Sequence, residues 1–252
     1  MTLTPFAKDL LLLVAALGAG AQNSVAGGGS FLTFPALVYA GVPSITANAS
    51  STVALAPASF ASAWAYRHDF KPFPGIGMTA LIGCSLVGSL LGAILLLVTP
   101  QRTFDDIIPW LLGAATLIFA FGRQVSDAAQ RIGTLGPRTM LAFQFLIAVY
   151  GGYFGGAIGI LMLALYGLLG LTDLHAMNAM KTLIAGLLNT VAIIAFVIAG
   201  KVSWPETILM LAAALIGGYG GARIARRVKP IYLRIAVIGI GCIMTTVFFL
   251  RS

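Results

Sequence analysis

Four apolar runs in this chain reach the ~20 residues with which a helix spans a bilayer, and four more come within about five residues of it. The runs cover 10–26, 30–41, 45–66, 74–98 and 107–122, then 142–156, 160–171, 176–199, 208–222 and 231–250. With 59% hydrophobic and 9% charged residues among 252, and a mean hydropathy of +0.99, the chain lacks the polar surface of a water-soluble globule. It reads as an all-α polytopic membrane protein, multi-pass in a cell inner membrane. The N-terminal run has no small-x-small cleavage pattern ahead of a polar domain, so it reads as the first membrane segment rather than a removed signal. Cys84 and Cys242 lie within apolar runs and read as small buried hydrophobes, not as a disulfide or metal site.

Two of the interruptions match. Gly27-Gly28-Gly29 breaks the chain before Ser30, and Gly155-Gly156-Ala157-Ile158-Gly159 breaks it again in the second half. Consecutive glycines break a helix because each costs about 1 kcal/mol relative to alanine. Other motifs repeat in the same order: Asn48-Ala49 with Asn178-Ala179, Thr52 with Thr182, and Gly88-x-x-x-Gly92-Ala93 with Gly217-x-x-x-Gly221-Ala222. The expected architecture is therefore two membrane repeats, 1–122 and 139–252, joined by a cytoplasmic loop at 123–138. Each repeat carries a glycine-broken helical hairpin followed by three transmembrane helices, roughly eight to ten membrane segments in all. If each broken element returns to the side it came from, the second repeat is inverted. Ten basic residues then fall on one side and four on the other, Lys181 aside; a single crossing by each broken element gives eight against six. The positive-inside rule favours the hairpins, the inverted repeats and both termini outside.

Short helices that start inside a membrane at glycine breaks, at corresponding places in inverted repeats, point to a transporter with a midplane site. Such a start offers backbone N–H groups and the positive end of a helix dipole to an anion. Gly28, Gly29 and Ser30 form one candidate loop, and Gly156 and Gly159 belong to the other; close helix packing is the alternative reading of both. Gln22 and Asn23 precede the first break and are candidates to line the same cavity or to bond between helices. Asn48, Ser51 and Thr52 share a helix face at i, i+3 and i+4, and Asn178, Lys181 and Thr182 repeat that spacing with a lysine in place of Ser51. Lys181 is the one charge well inside an apolar run, which marks it as a functional candidate. It lies six residues past His175, about 9 Å along a helix, so snorkelling to the interface is its other reading.

The acids narrow the chemistry. Asp9, Asp69, Asp105, Asp106, Asp127, Asp173 and Glu206 all lie at run ends or in loops, and both histidines, His68 and His175, are interfacial. No buried carboxylate is on offer as a proton carrier, and no Ser-His, Asp-Asp or His-metal set stands at depth for an intramembrane hydrolase. The chain reads as a non-enzyme without a metal site. Its net charge of +8 is mostly topogenic and suits an anionic cargo, and no basic face with interleaved aromatics suggests nucleic acid.

The ordered set Gly27-Gly28-Gly29-Ser30-Phe31-Leu32-x-x-Pro35-x-Leu37, Ala47-Asn48-Ala49-Ser50-Ser51-Thr52, Asn178-Ala179-x-Lys181-Thr182, Asn189, Phe196, Gly200, Val202 and Trp204 resembles the TauE/SafE family, also called the toluenesulfonate uptake permease group. The resemblance covers essentially the whole chain. It implies a small anionic cargo, such as sulfite, thiosulfate or an organosulfonate, exported without a bound cofactor. In the second half Ile158 interrupts the glycine run and Leu165 stands where the first has Pro35, which makes the first loop the stronger candidate. The expected function is a secondary transporter of a small sulfur-containing anion, with two inverted halves alternating access to a central site. An anion channel, a carrier of small carboxylates and a non-transporting membrane scaffold are the alternatives. The partners expected are the anion, the lipid bilayer and a second copy of the chain as a homodimer.

Overall fold

The computed structural model describes residues 4–25, 28–71, 75–132, 136–169, 171, 173–224 and 230–250, and among them ten helices and no strand. The first five are α1 (Pro5–Val25), α2 (Ser30–Tyr39), α3 (Ser44–Ala65), α4 (Met78–Val98) and α5 (Gln101–Ile132). The second five are α6 (Pro137–Tyr153), α7 (Ile158–Leu168), α8 (Leu174–Ile198), α9 (Trp204–Ile224) and α10 (Pro230–Phe249). Each set contains one short helix in second place, where the glycine breaks are. Gly27 lies outside the described residues, but Gly28 takes φ +84° immediately before α2 starts. Before α7 the chain turns through Gly155 at φ +76° and Ala157 at φ +59°, a left-handed conformation that an alanine seldom adopts. Asp173 starts α8 by accepting from the backbone N–H groups of His175 and Ala176 at 3.0 and 3.2 Å, a side-chain cap.

The polar stretch 123–138, read from sequence as a loop, is helical as far as Ile132, because α5 continues through it. Proline at the first position of α6 then marks the next start.

Packing repeats between the two sets. Helix α1 lies on α9 as α6 lies on α4; α3 packs on α9 as α8 packs on α4; α2 meets α10 as α7 meets α5; and α3–α8 and α5–α10 pair with each other. The principal neighbours of each bundle therefore cross the halves: α9 belongs with α1 and α3, and α4 with α6 and α8. Glycine makes the crossings possible. A Cβ at Gly20 would overlap the Ala214 carbonyl and one at Gly217 the Leu17 carbonyl. On the matching surface, a Cβ at Gly152 would overlap the Ser89 carbonyl and one at Gly92 the Val149 carbonyl. Backbones in this kind of contact gain dispersion and weak polar interactions that do not depend on excluding water, which suits association in lipid.

Outward faces are apolar as well. On α1 Leu10, Leu13, Val14 and Leu17, and on α4 Val87, Leu91, Ile94, Leu95 and Val98, are exposed. Continuous exposed aliphatic surface of this kind fits lipid rather than water. By length and composition Pro5–Ser24, Met78–Val98 and Leu174–Ile198 can cross a membrane, whereas Ser30–Tyr39, Ile158–Leu168 and Ile238–Phe249 are apolar but shorter. Cys84 is half-buried, with its thiol on the Leu141 carbonyl at 3.1 Å, and Cys242 is exposed rather than buried.

Gly92→Ala is expected to destabilise the protein by about 1–3 kcal/mol through overpacking against α6. Gly83→Ala, on the same helix with nothing within 4 Å of the new methyl, is expected to leave unfolding in detergent unchanged or slightly later.

Candidate functional site

Helices α3 and α8 pass one another in opposite senses at the centre, with Tyr66 just beyond the end of α3 packed against Ala179 near the start of α8. Both present small and polar residues to the crossing. Thr52, Leu55 and Ser59 on α3, and Thr182, Ala185 and Asn189 on α8, occupy the same i, i+3, i+7 positions and line one cavity. Lys181 completes the α8 wall, Asn23 arrives from the last turn of α1, and Ser30, Gly155, Ile158 and Gly159 come from the two breaks. The two breaks meet: a Cβ on Gly155 would sit 3.8 Å from the Ser30 hydroxyl. The cavity holds about 20 Å³, room for a water-sized group.

Lys181 is 2% exposed. Its ammonium donates to the Asn178 side-chain oxygen at 2.8 Å and to the Asn23 carbonyl at 3.3 Å. The snorkelling alternative is thereby overturned, because the side chain turns inward to the end of α1. Carbonyls in the last turn of a helix have no partner within it and carry the negative end of its dipole, so they suit a cation. No acid lines the cavity and none pairs with Lys181 among the described residues. Thr52 and Thr182 each donate to the carbonyl four residues back, Asn48 and Asn178, at 3.0 and 2.9 Å, and so turn oxygen lone pairs to their surroundings. Ser59 accepts from the Asn23 amide at 3.3 Å.

The cavity gathers six of the residues anticipated from sequence: Asn23, Ser30, Thr52, Gly159, Lys181 and Thr182. Others stand outside its lining for identifiable reasons. Asn48 donates to the Tyr153 carbonyl at the end of α6, 2.9 Å away, and Ser51 bonds the Thr33 hydroxyl on α2 at 2.6 Å. Asn178 supports Lys181 from the side. Gln22 is buried beside its neighbours in α1, and Gly28, Gly29 and Gly156 are buried in the breaks themselves. A Cβ on Gly29 would meet the Ala19 carbonyl at 2.6 Å and one on Gly156 the Phe154 ring at 2.6 Å, so these glycines serve packing. Of the two breaks, the first gives the lining one residue and the second three. Ser59 and Asn189 were missed, although extending the repeated face two turns beyond Thr52 and Thr182 reaches both.

One end of the crossing is polar. The Tyr66 and His175 rings lie 6.3 Å apart, and Lys71 pairs with Asp173 at 2.6 Å between the α3–α4 connection and the start of α8. The Lys71 hydrogen bond, with help from the α8 backbone, holds the Asp173 carboxyl below the ordinary carboxylate range. Its contribution is therefore complete at neutral pH and is lost as pH falls through that lowered value.

The family profile of sulfite exporter TauE/SafE matches residues 12–248. The chain belongs to the TauE/SafE family. Among its relatives, "Probable membrane transporter protein ORF9" of Sinorhizobium sp is 29% identical over 90% of this chain and 88% of its own length. "Probable membrane transporter protein YfcA" of Escherichia coli K12 is 27% identical over 96% and 89%, and a "Probable membrane transporter protein" of Haemophilus influenzae is 28% identical over 94% and 93%. No solved structure matches. A family of membrane transporters, rather than of enzymes, fits a lipid-facing helical protein with a central polar cavity.

Asn178→Leu removes the side-chain acceptor of a buried ammonium and is expected to cost about 1.5–3 kcal/mol. Adding Lys181→Met is expected to recover most of that loss, read as a double-mutant cycle in chemical unfolding.

Proposed function

We propose that this membrane transporter is a secondary carrier that exports a small sulfur-containing oxyanion across the cell inner membrane by alternating access. The observation that carries the reading is Lys181: a buried ammonium without a carboxylate partner, facing a cavity built from both halves. An isolated charge at that depth costs at least about 2.5 kcal/mol on insertion scales, and a bound anion offsets it. Ser30 and the Gly155–Gly159 turn bring the starts of α2 and α7 to the same cavity, where a helix N-terminus favours negative charge. In this reading Lys181, Asn23 and Asn189 supply donors, and Thr52, Thr182, Ser59 and the breaks shape the pocket.

Kinship with sulfite exporters supports the sulfur class and the outward direction. The repeated packing supports two inverted repeats, with both termini outside by the distribution of basic residues. The rocking units in this reading are the crossed bundles, α1–α3 with α9 and α6–α8 with α4, rather than the two sequence halves. In this reading the cavity, which now has room for a water-sized group, widens around the cargo in an occluded state and opens to one side at a time as the bundles separate.

Purified protein is expected to be stabilised by sulfite, by about 2.7 kcal/mol at a hundredfold excess over Kd, and to move it across proteoliposome membranes. Lys181→Ala is expected to lose both effects. Equal stabilisation of wild type and Lys181→Ala would remove the lysine from the site. Stabilisation by acetate but by no sulfur oxyanion would overturn the substrate class, and unitary currents in a voltage-clamped bilayer would overturn the carrier.

A further inference from the structure

Resting on the reading just proposed, we infer that the site takes its cargo as a single monovalent anion, such as hydrogen sulfite or a simple sulfonate, and rejects dianions and zwitterions. Charge balance leads to this. Lys181 is the one charged residue lining the cavity. It is 2% exposed, and the two ion pairs seen among the described residues, Lys8–Glu206 and Lys71–Asp173, do not involve it. A monoanion beside Lys181 leaves the occluded site neutral. A dianion leaves one uncompensated negative charge in a place shielded from water, and a zwitterion brings an ammonium for which the lining has no carboxylate. Buried charge without a partner is among the costliest arrangements a protein can adopt.

The hydrogen-bond inventory agrees. An ammonium has three donors, and two of those on Lys181 are already committed to Asn178 and Asn23. One is left for the cargo. Thr52 and Thr182 have their protons on backbone carbonyls, so what they turn to the cavity is acceptor lone pairs. Such a lining offers acceptors to a cargo that carries its own O–H. Leu55, Ile158 and Ala185 line the cavity as well, which gives a sulfonate's carbon substituent an apolar neighbour.

The test uses wild-type protein and a shape-matched pair of ligands. Methanesulfonate is monovalent throughout the accessible pH range, whereas methylphosphonate passes from monoanion to dianion within it. Thermal stabilisation by each is titrated at several pH values to give an apparent Kd. Methanesulfonate keeps its own charge, so its profile controls for titration of the protein and the methylphosphonate profile is read relative to it. Methylphosphonate is expected to bind at low pH and to weaken by about tenfold or more, 1.4 kcal/mol or beyond, as it becomes a dianion. Sulfite is expected to weaken in step with loss of hydrogen sulfite, and taurine and thiosulfate to give no shift. Dianionic methylphosphonate binding as tightly as methanesulfonate would overturn the monovalent rule while leaving the sulfur-oxyanion reading intact. No stabilisation by sulfite or methanesulfonate at any pH would overturn that reading and this one with it.

Discussion

A buried ammonium held only by neutral oxygens sets the terms for the rest of this structure. Lys181 is tolerated because its carriers are fixed elsewhere: Asn178 lies one turn back on the same helix, and the Asn23 carbonyl belongs to the last turn of α1. The first arrangement needs only the i, i+3 geometry of α8. The second needs α1 to stop where it does, so that its final carbonyls are not consumed by another helical turn. The glycine break after α1 is thus required by the lysine as much as by any ligand. The other half solves the equivalent problem without charge, since Asn48 on α3 donates to the Tyr153 carbonyl at the end of α6. Each central helix holds the end of a helix from the opposite half of the chain.

This cross-capping explains why the small residues are where they are. If α8 holds the end of α1, and α1 lies on α9, then α1 is pinned on two sides by the second repeat. Bare backbone contacts at Gly20, Gly217 and Gly221 on one surface, and at Gly88, Gly92 and Gly152 on the other, keep those distances short. Ser62 on α3 reaches the Gly218 carbonyl at 3.3 Å and Ser89 on α4 the Leu188 carbonyl at 2.7 Å, so polar bonds reinforce the same crossings. In lipid, where apolar surface gains little by leaving its surroundings, close packing and such bonds are the main sources of helix association.

Much of this was legible in the sequence, and the failures share a cause. The breaks at Gly28 and Gly155, the short helices after them, and the convergence of Ser30, Thr52, Lys181 and Thr182 followed from glycine chemistry and from one repeated motif. Face periodicity says which residues project together from a helix. It does not say which neighbour they meet, and α3 is buried along most of its circumference. Asn48 and Ser51 share a stripe with Thr52, yet one meets the end of α6 and the other meets α2. Ser59 and Asn189 lie beyond the repeated motif, which spans two turns while the crossing is longer. The helical continuation of α5 through its polar stretch was hidden because polarity marks a change of solvent, not the end of a helix.

The two ends of the α3–α8 crossing are related by the repeat but are not chemically alike. At one end Tyr66, His175 and the exposed Lys71–Asp173 pair close the gap between the helices. At the corresponding place on the other end, Phe196, Ala49 and Ile45 are buried in one apolar cluster. An exposed ion pair contributes little and is exchanged readily with water, whereas separating buried aromatic and aliphatic surfaces loses dispersion contacts on both faces. In the rocking motion proposed above, equal rotations of the two bundles would therefore meet unequal resistance. On the proposal made above, the polar end would yield more easily, and the difference between the two ends would originate in a few residues outside the cavity rather than in the cavity itself.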